Sequence, residues 1–257
     1  QVLESMGFRP VARHRSREVV LYRQGGMNLV VNAHPEDTRV PATVDGSPVI
    51  SAVAFRARDA YKTFRRCLDL GAWEVPSHAQ AMELHIPAIH GPGGSRFYFV
   101  DRWKEFSIYD IDFVAIPTVD PNPPALAGMS YFGVVQYIGA NRSADWIAYY
   151  QEMFGFGLIP DDQRFGILPK GTLLRSPCGQ FLWQVIEPDP WMELDGAPEC
   201  LLRVGLGVPD VAAAVSHLKG KGVEFIESAQ LHPEDRGALT RNLLGSVSFE
   251  LVHQTAA

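Results

Sequence analysis

Cysteine is scarce. Cys67, Cys178 and Cys200 are the only three in 257 residues, too few and too scattered for a disulfide framework or a zinc knuckle. That scarcity suits a reducing compartment, most simply a cytosol. No apolar run approaches the ~20 residues of a membrane-crossing helix, so a membrane-spanning protein is not expected. Basic charge is in deficit: 23 Lys and Arg against 29 Asp and Glu leave −6, which argues against nucleic acid as a partner. Low-complexity stretches are absent as well. What is present is a globular balance, 46% apolar and 20% charged, enough to bury a large core. The length suits two domains or one chain of stacked modules. The chain opens without an initiator Met or a charged-then-apolar leader. Residues 1–8 read as the last turns of a helix closed by Gly7, so a strand and the start of that helix are expected upstream.

An internal repeat organises the rest. Val49–Phe55 is a β-branched strand, Asp59 caps a helix over 60–70, and Gly71-Ala72 closes it. Phe132–Ile138, a helix over Ser143–Met153 and Gly155-Phe156 repeat that shape. So do Leu201–Val208, Asp210 with a helix over Val211–Lys219, and Gly222–Phe225. Each unit then closes on an alternating strand, at Ser95–Val100, Phe181–Ile186 and Ser246–Val252, and the opening unit closes at Met27–Asn32.

The pattern predicts an α+β fold of four βαβββ modules of roughly 60 residues, the first truncated at its N-terminus. One module does not cover its own sheet, so modules pair into two half-open barrels. Residues 1–114 form the first and 129–257 the second, which carries the cavity. Between them, residues 115–128 hold four prolines in 14 positions, a semi-rigid connector. A second irregular stretch, 187–198, separates the third and fourth modules.

Paired βαβββ modules resemble the vicinal-oxygen-chelate superfamily of glyoxalases and extradiol dioxygenases. Within it, Met6–Ser16, Leu21–Gly25, Asn28–Asn32, Met82–Ile89 with Gly91 to Gly94, and Ser107–Phe113 look like bacterial 4-hydroxyphenylpyruvate dioxygenase. The C-terminal half resembles that family in layout and is shorter. The resemblance implies a non-haem Fe(II) held on one face by two His and one carboxylate, with open positions for an α-keto acid and O₂. Carried over residue by residue, the first His position falls on Gly133, the second on Arg203 and the carboxylate on Glu250. A fourth inward position falls near Gln184. Gly133 offers no donor atom and Arg203 a permanent cation, which leaves Glu250 as the one surviving ligand. The resemblance therefore places the Arg203 guanidinium in the vacated metal position, neutralised by Glu250.

Other motifs read blandly. Of the eight His (14, 34, 78, 85, 90, 217, 232, 253), none pairs into a convincing second metal site, and His253 lies three past Glu250 on a strand. Gly91–Gly94 lacks the Lys-Ser/Thr of a phosphate loop and reads as a turn. The run Arg13–Arg17 reads as a solvated hairpin. Cys178 has no His nearby in sequence to activate it. Trp183, Trp191 and Phe181 read as core and pocket lining.

The expected function is a 4-hydroxyphenylpyruvate dioxygenase-like protein that has lost its Fe(II) centre, with no cofactor. It would bind a small aromatic or keto-acid carboxylate at Gly133, Gln184, Arg203 and Glu250 in the C-terminal barrel. Two alternatives stand beside it. One is a metal-free enzyme with Glu250 as base and Arg203 as anion stabiliser, although an Arg partner lowers the basicity of a carboxylate. The other is a true α-keto-acid dioxygenase with Fe(II) held by ligands that the motifs do not reveal. A homo-oligomer built on the N-terminal barrel is compatible with all three.

Overall fold

The computed structural model describes residues 1–33, 47–77, 79, 83–160, 171–188, 199–226, 237–242 and 247–254. A short helix α1 (Val2–Ser5) ends where Gly7 takes φ 96 and returns its N–H to Glu4 O, the helix end that the sequence predicts. Strands β1 (Arg9–His14), β2 (Val19–Gln24) and β3 (Met27–Asn32) follow as an antiparallel meander, turned at Gly25 with φ 53. Then come β4 (Ala52–Arg56), α2 (Ala60–Asp69), β5 (Ala88–His90) and β6 (Arg96–Val100). A turn of helix, α3 (Tyr109–Asp112), leads into β7 (Phe113–Ala115). The C-terminal half runs β8 (Ser130–Tyr137), α4 (Ser143–Phe154), β9 (Gly157–Leu158), β10 (Thr172–Arg175) and β11 (Leu182–Ile186). It ends with β12 (Cys200–Val208), α5 (Val211–Lys219), β13 (Gly237–Leu239) and β14 (Ser248–His253).

Helix limits follow from caps and spacing. Asp59 accepts from Lys62 N–H at 2.8 Å and Asp210 from Ala213 N–H at 2.9 Å, so both expected caps are in place. The buried faces obey helical period: Ala60, Phe64 and Cys67 on α2, and Val211, Ala214 and Leu218 on α5. Helix α4 stops at Gly155, which adopts the left-handed conformation with φ 68. Its N-terminus has no cap of its own, and Glu187 supplies one from beyond β11 by accepting the Ser143 N–H at 2.8 Å.

The C-terminal half is one open seven-stranded sheet in the order β13-β14-β12-β8-β11-β10-β9. Both of its halves share one connection, in which a strand and a helix are followed by strands, and the last returns parallel beside the first. Thus β11 is parallel to β8 and β14 to β12, while β8 and β12 pair antiparallel at the centre. In residues 1–114 the described strands form two sheets, β3-β2-β1-β7 and β4-β6-β5, and no closed barrel. The irregular stretch 187–198 lies outside the described residues beyond position 188, as do Trp191, His34, His78 and His232.

The two large hydrophobic clusters each draw on both sides of residues 115–128. One joins Leu3, Met6 and Phe8 to Leu206, Leu218 and Phe249. The other joins Phe64, Phe97 and Phe99 to Tyr150, Phe156 and Trp183. Arg66 of α2 caps the C-terminus of α4 by donating to Met153 O at 2.6 Å and Glu152 O at 2.9 Å. In the basic run at the turn from β1 to β2, Arg13 and Arg15 are exposed, as a solvated hairpin implies, and Arg17 is the exception. Arg17 is only 16% exposed and grips Glu83 with two bonds, Nε at 3.2 Å and Nη2 at 2.7 Å, so it is not solvated.

Glu187 gives a test of this packing. The Ser143 hydroxyl, then the N–H groups of Ser143, Asn141 and Arg142, hold its carboxyl below the ordinary range, against partial burial. A lowered folded pKa contributes stability above the unfolded value and loses it as pH falls through the folded one. Glu187→Gln is expected to cost about 1 kcal/mol at neutral pH, the difference closing below about pH 4. Urea unfolding of both proteins at the two pH values checks this.

Candidate functional site

The inner face of the seven-stranded sheet is set out in two adjacent rows. One row runs Leu173, Gln184, Val135, Arg203, Ser248 across β10, β11, β8, β12 and β14. The next runs Arg175, Leu182, Gly133, Gly205, Glu250 across the same strands, with Leu239 of β13 beyond. In-register neighbours share a face. Strand register therefore brings Gly133, Gln184, Arg203 and Glu250 together, although they span more than a hundred positions in sequence.

These side chains are buried: Gln184 is 7% exposed, Arg203 6% and Glu250 4%. Arg203 Nη1 lies 3.9 Å from Glu250 Oε2, across one row of the sheet. That separation is an ion pair and too long for a hydrogen bond. The same Nη1 has no hydrogen-bond acceptor among the described residues. At Gly133 the backbone of β11 lies close against β8. A Cβ built there overlaps the carbonyl oxygen of Leu182 and comes within 3.0 Å of its carbon. The side-chain direction at 133 thus runs into the neighbouring backbone and not over the inner face. Phe132 covers that face instead, packed on Ile159, Leu173 and Leu182, with its ring 3.2 Å from where a Gly205 side chain would begin.

What space remains is small. A cavity of about 20 Å³ lies among Phe132, Gly133, Leu173, Gln184, Gly205 and Glu250. That is room for roughly one water molecule. Arg203 flanks Glu250 without lining this cavity. A wider cleft of about 240 Å³ opens at the rim, sharing Phe132 and Leu182 as its wall and adding Arg175, Gln180, Phe181, His253 and Gln254. Sequence reading missed the part that Phe132, Leu182 and Arg175 play. One signal for it was legible, since Gly205 and Gly207 alternate on β12 and strip one face of side chains.

On the opposite face, side-chain hydrogen bonds tie β8, β11 and α4 together. Gln136 Oε1 accepts from Tyr150 Oη at 2.6 Å and from Trp183 Nε1 at 2.9 Å, all three fully buried beneath α4. Burial, with Tyr149 beside it, pushes the Tyr150 phenol well above its ordinary pKa, against the opposing effect of Trp183. Trp183 is core, as its sequence context suggests, whereas Phe181 is half-buried and lines the rim cleft. Among the described residues no group of three or more His, Cys, Asp or Glu is arranged to hold a metal ion. Cys67, Cys178 and Cys200 are unpaired thiols, and no described helix is long and apolar enough to cross a membrane.

Comparison with known proteins bears on the chemistry of this face. The family profile described as "Hydroxyphenylpyruvate dioxygenase, HPPD, N-terminal" matches residues 1–114. A 4-hydroxyphenylpyruvate dioxygenase of Pseudomonas sp. is 40% identical over 157 residues, 60% of this chain and 44% of that protein. One from Pseudomonas aeruginosa is 31% identical over 246 residues, 91% of this chain and 68% of that enzyme. This chain belongs to the 4-hydroxyphenylpyruvate dioxygenase family. It is thereby a member of the vicinal-oxygen-chelate superfamily that the repeat suggests. A 3-dehydroshikimate dehydratase of P. aeruginosa is 33% identical over 250 residues, 93% of this chain and 38% of that protein. Among solved structures, a xylose isomerase-like TIM barrel/4-hydroxyphenylpyruvate dioxygenase fusion protein superposes on the whole chain at TM-score 0.76 and 23% identity, a likeness of fold. The chain spans 46% of that fusion protein and 44% of the Pseudomonas sp. dioxygenase, less than half of either.

The ion pair predicts a specific mutational pattern. Arg203→Met or Glu250→Leu alone leaves one buried charge without its counterion and is expected to cost about 3–5 kcal/mol. The double variant, apolar on both sides, is expected to recover most of that loss. Denaturant unfolding of the two single variants and the double variant measures the coupling.

Proposed function

We propose that this chain is a dioxygenase-family domain whose inner face carries an internal ion pair in place of iron. It recognises a small aromatic or keto-acid carboxylate without oxidising it. The observation that carries this reading is the Arg203 guanidinium, 6% exposed and 3.9 Å from Glu250, at a position where the family resemblance puts a metal ligand. A facial iron site needs two imidazoles and a carboxylate on neighbouring positions with open sites beyond. The residues present do not fit that group. Gly133 has neither a donor nor room for a side chain, Arg203 brings a fixed positive charge, and Gln184 is a weak ligand. Glu250 is one carboxylate, already facing a cation.

The metal-free alternative, with Glu250 as general base, has less support. Glu250 borders a cavity of only about 20 Å³, and a carbon acid does not enter a water-sized space. The family's four-module plan, with residues 1–114 and 129–257 as its two halves, is part of the reading. Its support is the shared connection of the two C-terminal units. A working partner is part of it too. The dehydratase that matches 93% of this chain over 38% of its own length favours a role as the dioxygenase-like portion of a protein whose turnover belongs to another domain. The unpaired cysteines favour the cytosol as its compartment.

Oxygen consumption tests the reading. With 4-hydroxyphenylpyruvate and Fe(II), uptake is expected to match a chelator control, while the P. aeruginosa dioxygenase assayed alongside consumes oxygen. Iron-dependent uptake by this chain overturns the proposal.

A further inference from the structure

One face of the N-terminal sheet β4-β6-β5 is cationic on an otherwise acidic chain. Strand register sets its side chains in rows. Ala52, Arg96 and His90 form one row, Ala54, Tyr98 and Ala88 the next, and Arg56 and Val100 the last. The alternate residues Val53, Phe55, Ile89, Phe97 and Phe99 pack into the aromatic core, so these rows face away from it. Ala52, Ala54, Arg56 and His90 are exposed, and Arg96 and Tyr98 are half-buried. None of these eight positions is acidic, in a chain of net charge −6.

The cations of this face lack counterions. Neither Arg56 nor Arg96 forms an ion pair among the described residues. The Arg56 guanidinium stands 4.7 Å from the centre of the Trp103 ring, and Lys104 Nζ 5.1 Å from the same ring. Trp103 itself is 42% exposed. Arg23 of β2 adds a third guanidinium. Its acceptors are neutral, Asn28 Oδ1 at 2.8 Å and Pro121 O at 2.9 Å, and its Cζ lies 6.0 Å from the Tyr109 ring. Burial raises the Tyr109 phenol while Arg23 and then Arg56 oppose the rise, so both guanidinium groups lie near it. The carboxylates closest in sequence are engaged elsewhere. Asp101 accepts the Ala60 N–H and Asp59 the Lys62 N–H, each at 2.8 Å, and Glu105 pairs with Arg102 at 2.7 Å.

Shape favours an elongated ligand. Ala52 and Ala54 leave β4 nearly bare, which opens a shelf floored by Tyr98 with Arg96 at one end and Arg56 at the other. The two arginines stand four residues apart in register, about 13 Å along the strands, farther than one small anion spans. An extended chain puts residues i, i+2 and i+4 on one side. Acids four positions apart, with a ring between them, therefore meet both guanidinium groups and the Tyr98 floor together.

We infer that this face docks an extended acidic segment of a partner protein, with the pattern acid-x-aromatic-x-acid. Its two carboxylates lie on Arg96 and Arg56 and its ring lies on Tyr98. Charge complementarity carries the choice of partner, and the net charge of −6 disfavours nucleic acid, the other extended polyanion. The surface is separate from the inner face of the C-terminal sheet, so it stands whatever oxygen uptake shows.

Fluorescence anisotropy with labelled peptides on the purified protein at low ionic strength tests the surface. The probes are Ser-Glu-Ser-Tyr-Ser-Glu-Ser, the same peptide with Gln for Glu, and Ser-Glu-Ser-Tyr-Glu-Ser-Ser, in which one acid turns to the opposite side. The first is expected to bind about tenfold more tightly than either of the others, and the gap to narrow as salt screens it. Arg56→Gln combined with Arg96→Gln is expected to cost the first peptide about tenfold, and the paired Lys substitutions to retain part of the affinity. Lys219→Gln combined with Lys221→Gln makes the same change of net charge at the end of α5 and is expected to leave binding unchanged. Equal binding of the Glu and Gln peptides, or equal losses in the two double Gln variants, overturns the inference. So does binding that ignores the spacing of the acids, or binding of a single-stranded oligonucleotide in place of the acidic peptide.

Discussion

A guanidinium and a carboxylate, each more than nine-tenths buried, face one another across β12 and β14. Either charge alone in that position carries a heavy desolvation cost, so each residue constrains the other. The pair sits where two strands run parallel. Gly133 lets β8 and β11 close together, Phe132 covers the gap, and the enclosed space shrinks to about one water. The site is a filled core with a polar seam, and the accessible surface is displaced to its edge.

The fold holds that seam still by burying it from outside as well. Tyr150, Trp183 and Gln136 lock β8 and β11 under α4, and the cluster continues into Phe97 and Phe99 of the N-terminal half. Leu3, Met6 and Phe8 do the same under α5. Residues 1–114 therefore brace the sheet that carries the seam, through cores shared across residues 115–128. A brace of that kind keeps its structural purpose whether or not the sheet performs chemistry.

Much of this was legible in the sequence. Asp59 and Asp210 each precede apolar residues at helical spacing, so both caps and both helices were readable. The β-branched runs gave β8 and β12, and the family resemblance put Arg203 on the opening strand and Glu250 on the closing strand of the fourth module, two strands that pair in parallel. Three features were not readable, each because it depends on contacts distant in sequence. Arg17 finds Glu83, 66 positions away, and so leaves solvent. The two separate N-terminal sheets depend on which strand edges meet. The rim cleft is assembled from the ends of β10, β11 and β14, where Arg175, Phe181 and His253 have no local pattern in common.

Metal content tests the central claim most directly. The protein is loaded anaerobically with excess Fe(II), desalted and analysed by plasma mass spectrometry, with the P. aeruginosa dioxygenase treated identically. An internal cation at the centre of the inner face predicts iron far below one atom per chain, with no change after a chelator wash. About one tightly held iron per chain, lost together with the Glu250 carboxylate in Glu250→Gln, contradicts it.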